Sequence, residues 1–237
     1  MKLSRRSFCG CLLGAAPLFA VSAAHAEPNE CAVFTPQRQG ETSPDDAIVR
    51  LLEGNRRFVE GRTINCDLMA QVRETAGHQA PFAAILGCID SRVPPELVFD
   101  QRIGDVFCAR VAGNFVNDDI LGSLEYATNV AGAKAIVVVG HSSCGAIKSA
   151  IAGVELGHIT GLLENIHPAF AAITVPEGGM DPADKHLVAA VTEANVRHTV
   201  AMITDRSPIL RDMVEAGELR VAGAIHDIST GEVSWLA

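Results

Sequence analysis

Short apolar runs alternate with amphipathic stretches along most of the chain, and the two patterns predict different elements. Short continuous apolar runs are typical of buried strands, whereas apolar positions spaced three and four residues apart are typical of helices. Strands that alternate with helices form mainly parallel sheets covered on both faces. The predicted fold class is therefore α/β, with a mainly parallel β-sheet flanked by helices. The predicted strands are residues 82–87, 106–111, 135–140 and 219–225.

Helical patterns fill the intervals between the predicted strands. The first helix has a clear start, because Ser43 can act as a cap and Pro44 suits the first helical turn. Near the C-terminus, residues 229–231 (STG) form a turn sequence, and we predict a possible antiparallel edge strand at residues 232–236. The predicted helices are residues 44–60, 68–75, 118–130, 145–152, 159–173, 182–205 and 208–216.

The N-terminal residues have the pattern of an export signal. Residues 4–8 (SRRSF) contain paired arginines, an apolar run covers residues 9–23, and residues 24–26 (AHA) fit a small-x-small cleavage site. The apolar run is too short and too rich in alanine and glycine to span a bilayer comfortably, so we expect no stable membrane anchor. The sequence predicts a twin-arginine signal peptide at residues 1–26 and a periplasmic or secreted protein exported by that route.

The rest of the chain divides into two parts. Residues 27–43 contain Pro, Thr, Gln and Gly without periodicity, so we interpret them as a linker or arm, and residues 44–237 as one domain around a single core. The chain carries a formal charge of -9, and loss of residues 1–26, which hold three basic and no acidic residues, takes it to about -12. We expect no nucleic-acid partner for so acidic a chain.

Five of the seven cysteines lie beyond the predicted signal. An odd number argues against a framework built only of disulfides. If two of the five are metal thiolates, Cys31 and Cys66 are available to pair in an oxidising periplasm. Cys108 lies in a strand-like run, where a cysteine acts as a small hydrophobe.

Two predicted strands end directly before residues of types that commonly bind metals, a cysteine and a histidine. Cys88 follows the first strand, His141 follows the third, and Cys144 comes three positions after His141. Because ligand sites collect beyond the carboxyl ends of parallel strands, we expect these three side chains to converge. Two thiolates and an imidazole are ligands that zinc favours, and three ligands leave a fourth position open for catalysis. Singly, a buried cysteine or histidine is more often a core residue.

Asp90 and Arg92 follow Cys88 at alternate positions. In extended backbone alternate side chains share one face, so Asp90 is expected beside the metal and Arg92 beside Asp90. Asp90 then has two options: it can occupy the open metal position in a closed state, or it can pair with the forked guanidinium of Arg92 and orient a water molecule. The sequence favours the second option, and both residues are predicted to be catalytic. The alternative is a purely structural ion pair.

These residues occur in motifs that resemble those of the β-class carbonic anhydrases. Residues 88–92 (CIDSR) and 141–145 (HSSCG) look like the paired motif of that family. Residues 93–96 (VPPE), 110–114 (RVAGN) and 123–126 (SLEY) extend the similarity, which covers most of the chain from Pro44 onward. Ile89 departs mildly from the family pattern, which commonly has serine there, but it disturbs no predicted ligand.

The resemblance implies an activity, an assembly and a set of substrate-binding residues. It implies reversible hydration of carbon dioxide to bicarbonate by zinc-activated water, one Zn2+ per subunit, and a homodimer or homotetramer with the zinc site at the interface. It also implies that the N-terminal helices grip the partner subunit. Ile85 stands where one subgroup has a tryptophan for an inhibitory bicarbonate site, so we expect no such regulation. By the same resemblance, the substrate-binding residues are Gln79, Phe107, Ala112, Tyr126 and Gly145.

Other functions remain open at the level of sequence. The same chemistry suits carbonyl sulfide or carbon disulfide, and the ligand motifs do not separate these substrates from carbon dioxide. A zinc-stabilised domain without turnover is a further alternative, against which the Asp90 and Arg92 pair argues. A nucleotide-binding protein is disfavoured, because no glycine-rich phosphate loop with the right spacing follows the first strand.

Overall fold

The computed structural model describes residues 30–175 and 177–236, and these residues are organised around a five-stranded sheet. The strands lie in the order β2-β1-β3-β4-β5. The first four in this order are parallel, and β5 runs antiparallel to β4 at the edge. The predicted fold class and the antiparallel edge strand are both confirmed. The strands are β1 (Ala83–Gly87), β2 (Val106–Arg110), β3 (Ala135–His141), β4 (Arg220–His226) and β5 (Val233–Trp235).

Helices cover both faces of the sheet. Alternate residues of a strand point to opposite faces, so each of the buried strands β1 and β3 contributes to two cores. Ile85 and Val137 pack with Leu51 of the first long helix on one face. Leu86 and Val138 pack on the other face. The α-helices are α1 (Pro36–Glu41), α2 (Pro44–Val59), α3 (Leu68–Thr75), α4 (Pro95–Val98), α5 (Asp118–Glu125), α6 (Gly145–Ile151), α7 (Gly157–Glu164), α8 (Lys185–Arg206) and α9 (Pro208–Glu215).

Polar side chains fix where several helices begin. Ser43 caps α2 by accepting a hydrogen bond from the N–H of Asp46, and the Asp46 carboxylate accepts one from the N–H of Ser43 in return. Ser207 ends α8 and caps α9, where its hydroxyl accepts a hydrogen bond from the N–H of Leu210. These contacts satisfy N–H groups that have no partner within their own helix.

Two predicted helices are broken in the structure. The predicted helix 118–130 is α-helical only over α5. It continues as a π-helical turn over Tyr126–Val130, where the N–H of Ala131 donates a hydrogen bond to the carbonyl of Tyr126. The predicted helix 159–173 divides into α7 and a 3₁₀ helix over His167–Ala172. Pro168 lacks the N–H that a continuing helix needs, which accounts for the second break.

The segment predicted as a linker or arm, residues 27–43, contains a short helix in the part that the structure describes. Phe34 is buried in the core, and α1 follows it. Gln39 of α1 donates hydrogen bonds of 2.7 Å to the carbonyls of both Pro81 and Ala131. This segment therefore packs on the domain, although its composition has no helical periodicity. Residues 1–26, the predicted signal, lie outside the described residues.

A disulfide joins the start of the described chain to the loop before α3. Cys31 and Cys66 are bonded, which confirms their predicted pairing. Gln71 of α3 donates a hydrogen bond to the carbonyl of Cys31. Cys108 of β2 is partly buried and carries a free thiol, whose pKa is raised by burial.

None of the helices within residues 30–175 and 177–236 is both long enough and apolar enough to cross a bilayer.

Candidate metal centre

The three predicted ligands meet at the carboxyl edge of the sheet. Cys88 directly follows β1, His141 is the last residue of β3, and Cys144 directly precedes α6. The chain passes from β1 to β2 on one side of β1, whereas β3 lies on its other side. Such a reversal opens a crevice beyond the strand ends, where open α/β sheets bind ligands. The ligand atoms of the three residues lie within 4.8 Å of one another, so their predicted convergence is confirmed.

The donor set fits a metal ion. The sulfurs of Cys88 and Cys144 are 4.0 Å apart, close to the roughly 3.8 Å that two zinc–sulfur bonds of about 2.3 Å span at a tetrahedral angle. The Nδ1–H of His141 donates to the carbonyl of Ser142 at 3.0 Å, because a carbonyl can only accept. The lone pair is therefore on Nε2, and this buried atom has no hydrogen-bond partner within the protein.

The two ligand cysteines shift each other's pKa in opposite directions. A hydrogen bond from Cys144 lowers the pKa of Cys88, and the same bond, together with burial, raises the pKa of Cys144. Backbone N–H groups also donate to the sulfurs, that of Gly113 to Cys88 and those of Ala146 and Ile147 to Cys144. The site thus already stabilises negative charge on the sulfur of Cys88, which a metal ligand must carry.

Asp90 lies beside the ligands but is held by Arg92. The Nε of Arg92 donates to Oδ1 of Asp90 at 2.9 Å, and Nη2 donates to Oδ2 at 2.7 Å. These hydrogen bonds hold the pKa of Asp90 well below its usual range, so the carboxylate stays ionised. Its Oδ2 is 4.0 Å from Nε2 of His141. Of the two options that the sequence leaves open for Asp90, the structure contains the pair with Arg92.

Comparison with known proteins identifies the family. A family model described as carbonic anhydrase matches residues 83–233. Carbonic anhydrase 2 of Mycobacterium tuberculosis is 35% identical over 196 residues, which cover 80% of this chain and 91% of that protein. A solved β-carbonic anhydrase from Coccomyxa, in complex with acetazolamide, is 28% identical with a TM-score of 0.63 and covers 78% of this chain and 84% of that chain.

The chain belongs to the β-class carbonic anhydrases. A pair of solved tetrameric β-carbonic anhydrases from Sordaria macrospora is also similar, at 26% identity and a TM-score of 0.61 over 71% of this chain and 90% of the matched chain. Carbonic anhydrases therefore share both the sequence and the fold of this chain over most of its length.

Arg110 is a positioning residue of this carbonic anhydrase that sequence reasoning missed. Its Nε donates to the carbonyl of Cys88 at 2.8 Å, and its Nη2 donates to the carbonyl of Asp90 at 2.6 Å. Arg110 is the last residue of β2, whose register places it opposite Gly87. One guanidinium thereby fixes the loop that carries both a candidate ligand and Asp90. The sequence does offer one indication of this role, because Arg110 lies at the end of a predicted strand, as Cys88 does.

The backbone of Gly113 contacts the Cys88 sulfur, and Asn195 fixes the position of Gly113. Gly113 has a φ of +83°, and a Cβ there would lie 2.7 Å from Ile166, so only glycine fits. Its carbonyl accepts a hydrogen bond of 2.8 Å from Nδ2 of the buried Asn195 on α8. Sequence reasoning missed Asn195, because nothing local marks a helical asparagine as a partner of a distant loop.

His226 lies at the end of β4, opposite His141 in the strand register. It is buried, and neither ring nitrogen has a hydrogen-bond partner within the protein. Burial, and then the neighbouring His141, lowers its pKa, which keeps the ring neutral. Both histidines and Cys88 line a small cavity of about 10 Å³ behind the candidate ligands. Sequence reasoning also missed this residue.

The predicted substrate-binding residues do not form a single cluster within one chain. Phe107 and Tyr126 contact each other edge to face, with ring centroids 6.3 Å apart. They line a groove of about 740 Å³ along β2, and none of the candidate ligands lines it. Gln79 is exposed in the loop before β1. Ala112 and Gly145 are adjacent in sequence to residues that contact the ligand sulfurs, so these two lie near the site.

We predict that Arg110→Gln lowers the free energy of unfolding by about 3–6 kcal/mol, because it removes two hydrogen bonds from a charged donor, which contribute about 1.5–3 kcal/mol each. Urea unfolding of the metal-free protein measures the change. Arg220→Gln is the matched control, since it removes an exposed ion pair with Asp45 and should cost at most about 1 kcal/mol. Equal losses in the two variants would contradict the assigned role of Arg110.

Proposed function

We propose that this carbonic anhydrase hydrates carbon dioxide reversibly to bicarbonate with one zinc ion per subunit, held by Cys88, His141 and Cys144. The convergence of two sulfurs and an unpartnered imidazole nitrogen supports the proposal most directly. This donor set suits zinc and leaves a fourth position open, as catalytic zinc sites require. When bound, zinc lowers the pKa of water and supplies a hydroxide nucleophile near neutral pH.

Asp90 orients the water molecule that enters the site. As an ionised carboxylate it can only accept hydrogen bonds, so a water beside it directs a hydrogen to Asp90 and an oxygen lone pair toward carbon dioxide. Arg92 prevents the carboxylate from turning toward the ligands by occupying both of its oxygens. If Arg92 releases it, Asp90 can take the fourth ligand position, which gives the inactive closed state.

We predict that zinc-loaded protein comprising residues 27–237 hydrates carbon dioxide in a stopped-flow assay. Asp90→Asn should lower kcat/KM by about 10²-fold, because an amide can donate where the carboxylate only accepts and no longer orients the water. The zinc content should not change, since Asp90 is paired with Arg92 rather than with the ligands.

The control for this assay is Glu193→Gln, which removes an exposed carboxylate that is paired with Arg197 on α8 and does not line the groove. It should leave kcat/KM unchanged. A fully zinc-loaded wild-type protein without hydration activity would refute the proposed function. Wild-type kcat/KM in Asp90→Asn would refute only the role of Asp90.

We further propose a homodimer or homotetramer that forms along β2. Within the described residues β2 pairs only with β1, so its other edge is available to a second chain. The groove beside this edge contains Phe107 and Tyr126, and Tyr126 is 52% exposed. A neighbouring subunit seated there would bring these rings toward a shared active site, which agrees with the observation that none of the candidate ligands of the same chain lines the groove. The similar Sordaria enzymes are described as tetrameric.

We predict that light scattering gives two or four times the chain mass for the wild-type protein. Tyr126→Arg should give the mass of a monomer, because it places a charge in the proposed contact. Val130→Arg is the matched control: Val130 is 68% exposed on the same π-helical turn but does not line the groove. A monomeric wild-type protein, or an oligomeric Tyr126→Arg variant, would contradict the proposal.

We also propose export by the twin-arginine route, directed by residues 1–26. The paired arginines and the small-x-small sequence at residues 24–26 support it. The Cys31–Cys66 disulfide supports an oxidising compartment, because cytosolic reductants keep most thiols reduced. Export of an already folded chain suits a protein that binds its metal before it leaves the cytoplasm.

We expect that replacing both Arg5 and Arg6 by lysine retains the protein in the cytoplasm, with Cys31 and Cys66 as free thiols. Cell fractionation followed by thiol alkylation and mass spectrometry measures both effects. Arg38→Lys, which changes an arginine beyond the predicted signal, should be exported and form the disulfide. Unchanged export of the twin-lysine variant would exclude this route.

A further inference from the structure

Every polar group of Ser142 takes part in a hydrogen bond. Its N–H donates to the carbonyl of His226 at 2.9 Å, and its carbonyl accepts from Nδ1 of His141 at 3.0 Å. Its hydroxyl accepts a hydrogen bond of 3.0 Å from the N–H of Ile228 and donates one of 3.4 Å to Oδ1 of Asp227. Ser142, whose carbonyl accepts the hydrogen bond from His141, is therefore fixed through both its backbone and its side chain.

The groups that hold Ser142 belong to the turn between β4 and β5, and this turn is itself fixed. Oδ1 of Asp227 also accepts hydrogen bonds of 2.7 Å from both the N–H and the hydroxyl of Ser229. The N–H of Gly231 bonds to the carbonyl of Asp227 at 2.8 Å. The buried Asn55 of α2 donates to the carbonyl of Gly231 at 2.9 Å and accepts from the N–H of Val233 at 2.9 Å. The turn is thus anchored to a long helix.

The orientation of the Ser142 carbonyl decides which nitrogen of His141 binds the metal. As long as this carbonyl accepts from Nδ1–H, the lone pair stays on Nε2, which is buried without a hydrogen-bond partner within the protein. A rotated peptide would free Nδ1, and the ring would gain access to a second tautomer and a second orientation. Histidine ligands generally need such a partner on their other nitrogen.

We propose that Ser142 and Asp227 are positioning residues that act through the Ser142 carbonyl to fix the tautomer and orientation of His141 for metal binding. The inference rests on the proposed function, because it takes His141 as a zinc ligand. It assigns a role to the turn after β4, which lies far from the ligand motifs in the sequence.

The test measures how fast zinc leaves the folded protein for a chromophoric chelator. Ser142→Ala should release zinc about 10- to 100-fold faster than wild type, the typical effect of removing a group that supports a metal ligand. Asp227→Ala should accelerate release in the same direction. The Ser142→Ala, Asp227→Ala double variant should release zinc more slowly than the product of the two single effects predicts, because either single variant already removes the hydrogen bond between the Ser142 hydroxyl and Asp227.

Two further variants separate positioning from general stability. Ser142→Thr keeps the hydroxyl and should release zinc at close to the wild-type rate. Thr230→Ala is the matched control, because the Thr230 hydroxyl accepts a hydrogen bond from Glu232 in the same turn and does not contact Ser142. It should also release zinc at the wild-type rate. The absorption spectrum of the cobalt-substituted protein gives a second readout, which should change in Ser142→Ala and not in Thr230→Ala.

The outcomes distinguish this inference from the proposed function. A wild-type protein that binds no zinc would overturn both. A wild-type protein that binds zinc and hydrates carbon dioxide, while Ser142→Ala releases zinc at the wild-type rate, would overturn only the inference. Independent, multiplying effects of Ser142→Ala and Asp227→Ala would also overturn it, as would release by Ser142→Thr that is as fast as that by Ser142→Ala.

Discussion

Parallel pairing of β1 with β3 is the constraint on which the site depends. The two strands are in register from Ala83 and Ala135 onward, so they end side by side although they are distant in sequence. Cys88 and His141 therefore reach the same crevice, and α6 begins where it returns Cys144 to them. The core on both faces of these strands fixes their pairing, and through it the distances among the candidate ligands.

The surrounding protein prepares this crevice for a positive ion. Backbone N–H groups direct partial positive charge at the sulfurs, the ring of His141 presents a lone pair, and Arg92 keeps the carboxylate of Asp90 aside. The buried Nε2 of His141 has no hydrogen-bond partner within the protein, and burial penalises unpaired polar groups. A bound metal would remove this cost and would thereby couple metal binding to folding.

Sequence reasoning found the parts of this account that are local. Strand and helix positions follow from apolar spacing, and Cys88, His141 and Cys144 are marked by their place after predicted strands. The break at Pro168 also has a local cause, although the apolar spacing does not show it. The packing of α1 and the partners of the site depend on contacts between distant segments. Arg110, Asn195 and Asp227 act on backbone carbonyls or on a hydroxyl whose positions exist only in the folded chain. No periodicity of the sequence encodes such contacts.

X-ray absorption at the zinc edge of purified protein tests the central claim most directly, because it counts the atoms bound to the metal. The account predicts one zinc per chain with two sulfur neighbours at about 2.3 Å and nitrogen or oxygen neighbours at about 2.0–2.2 Å. A protein that holds no zinc, or a zinc ion surrounded only by nitrogen and oxygen, would contradict it.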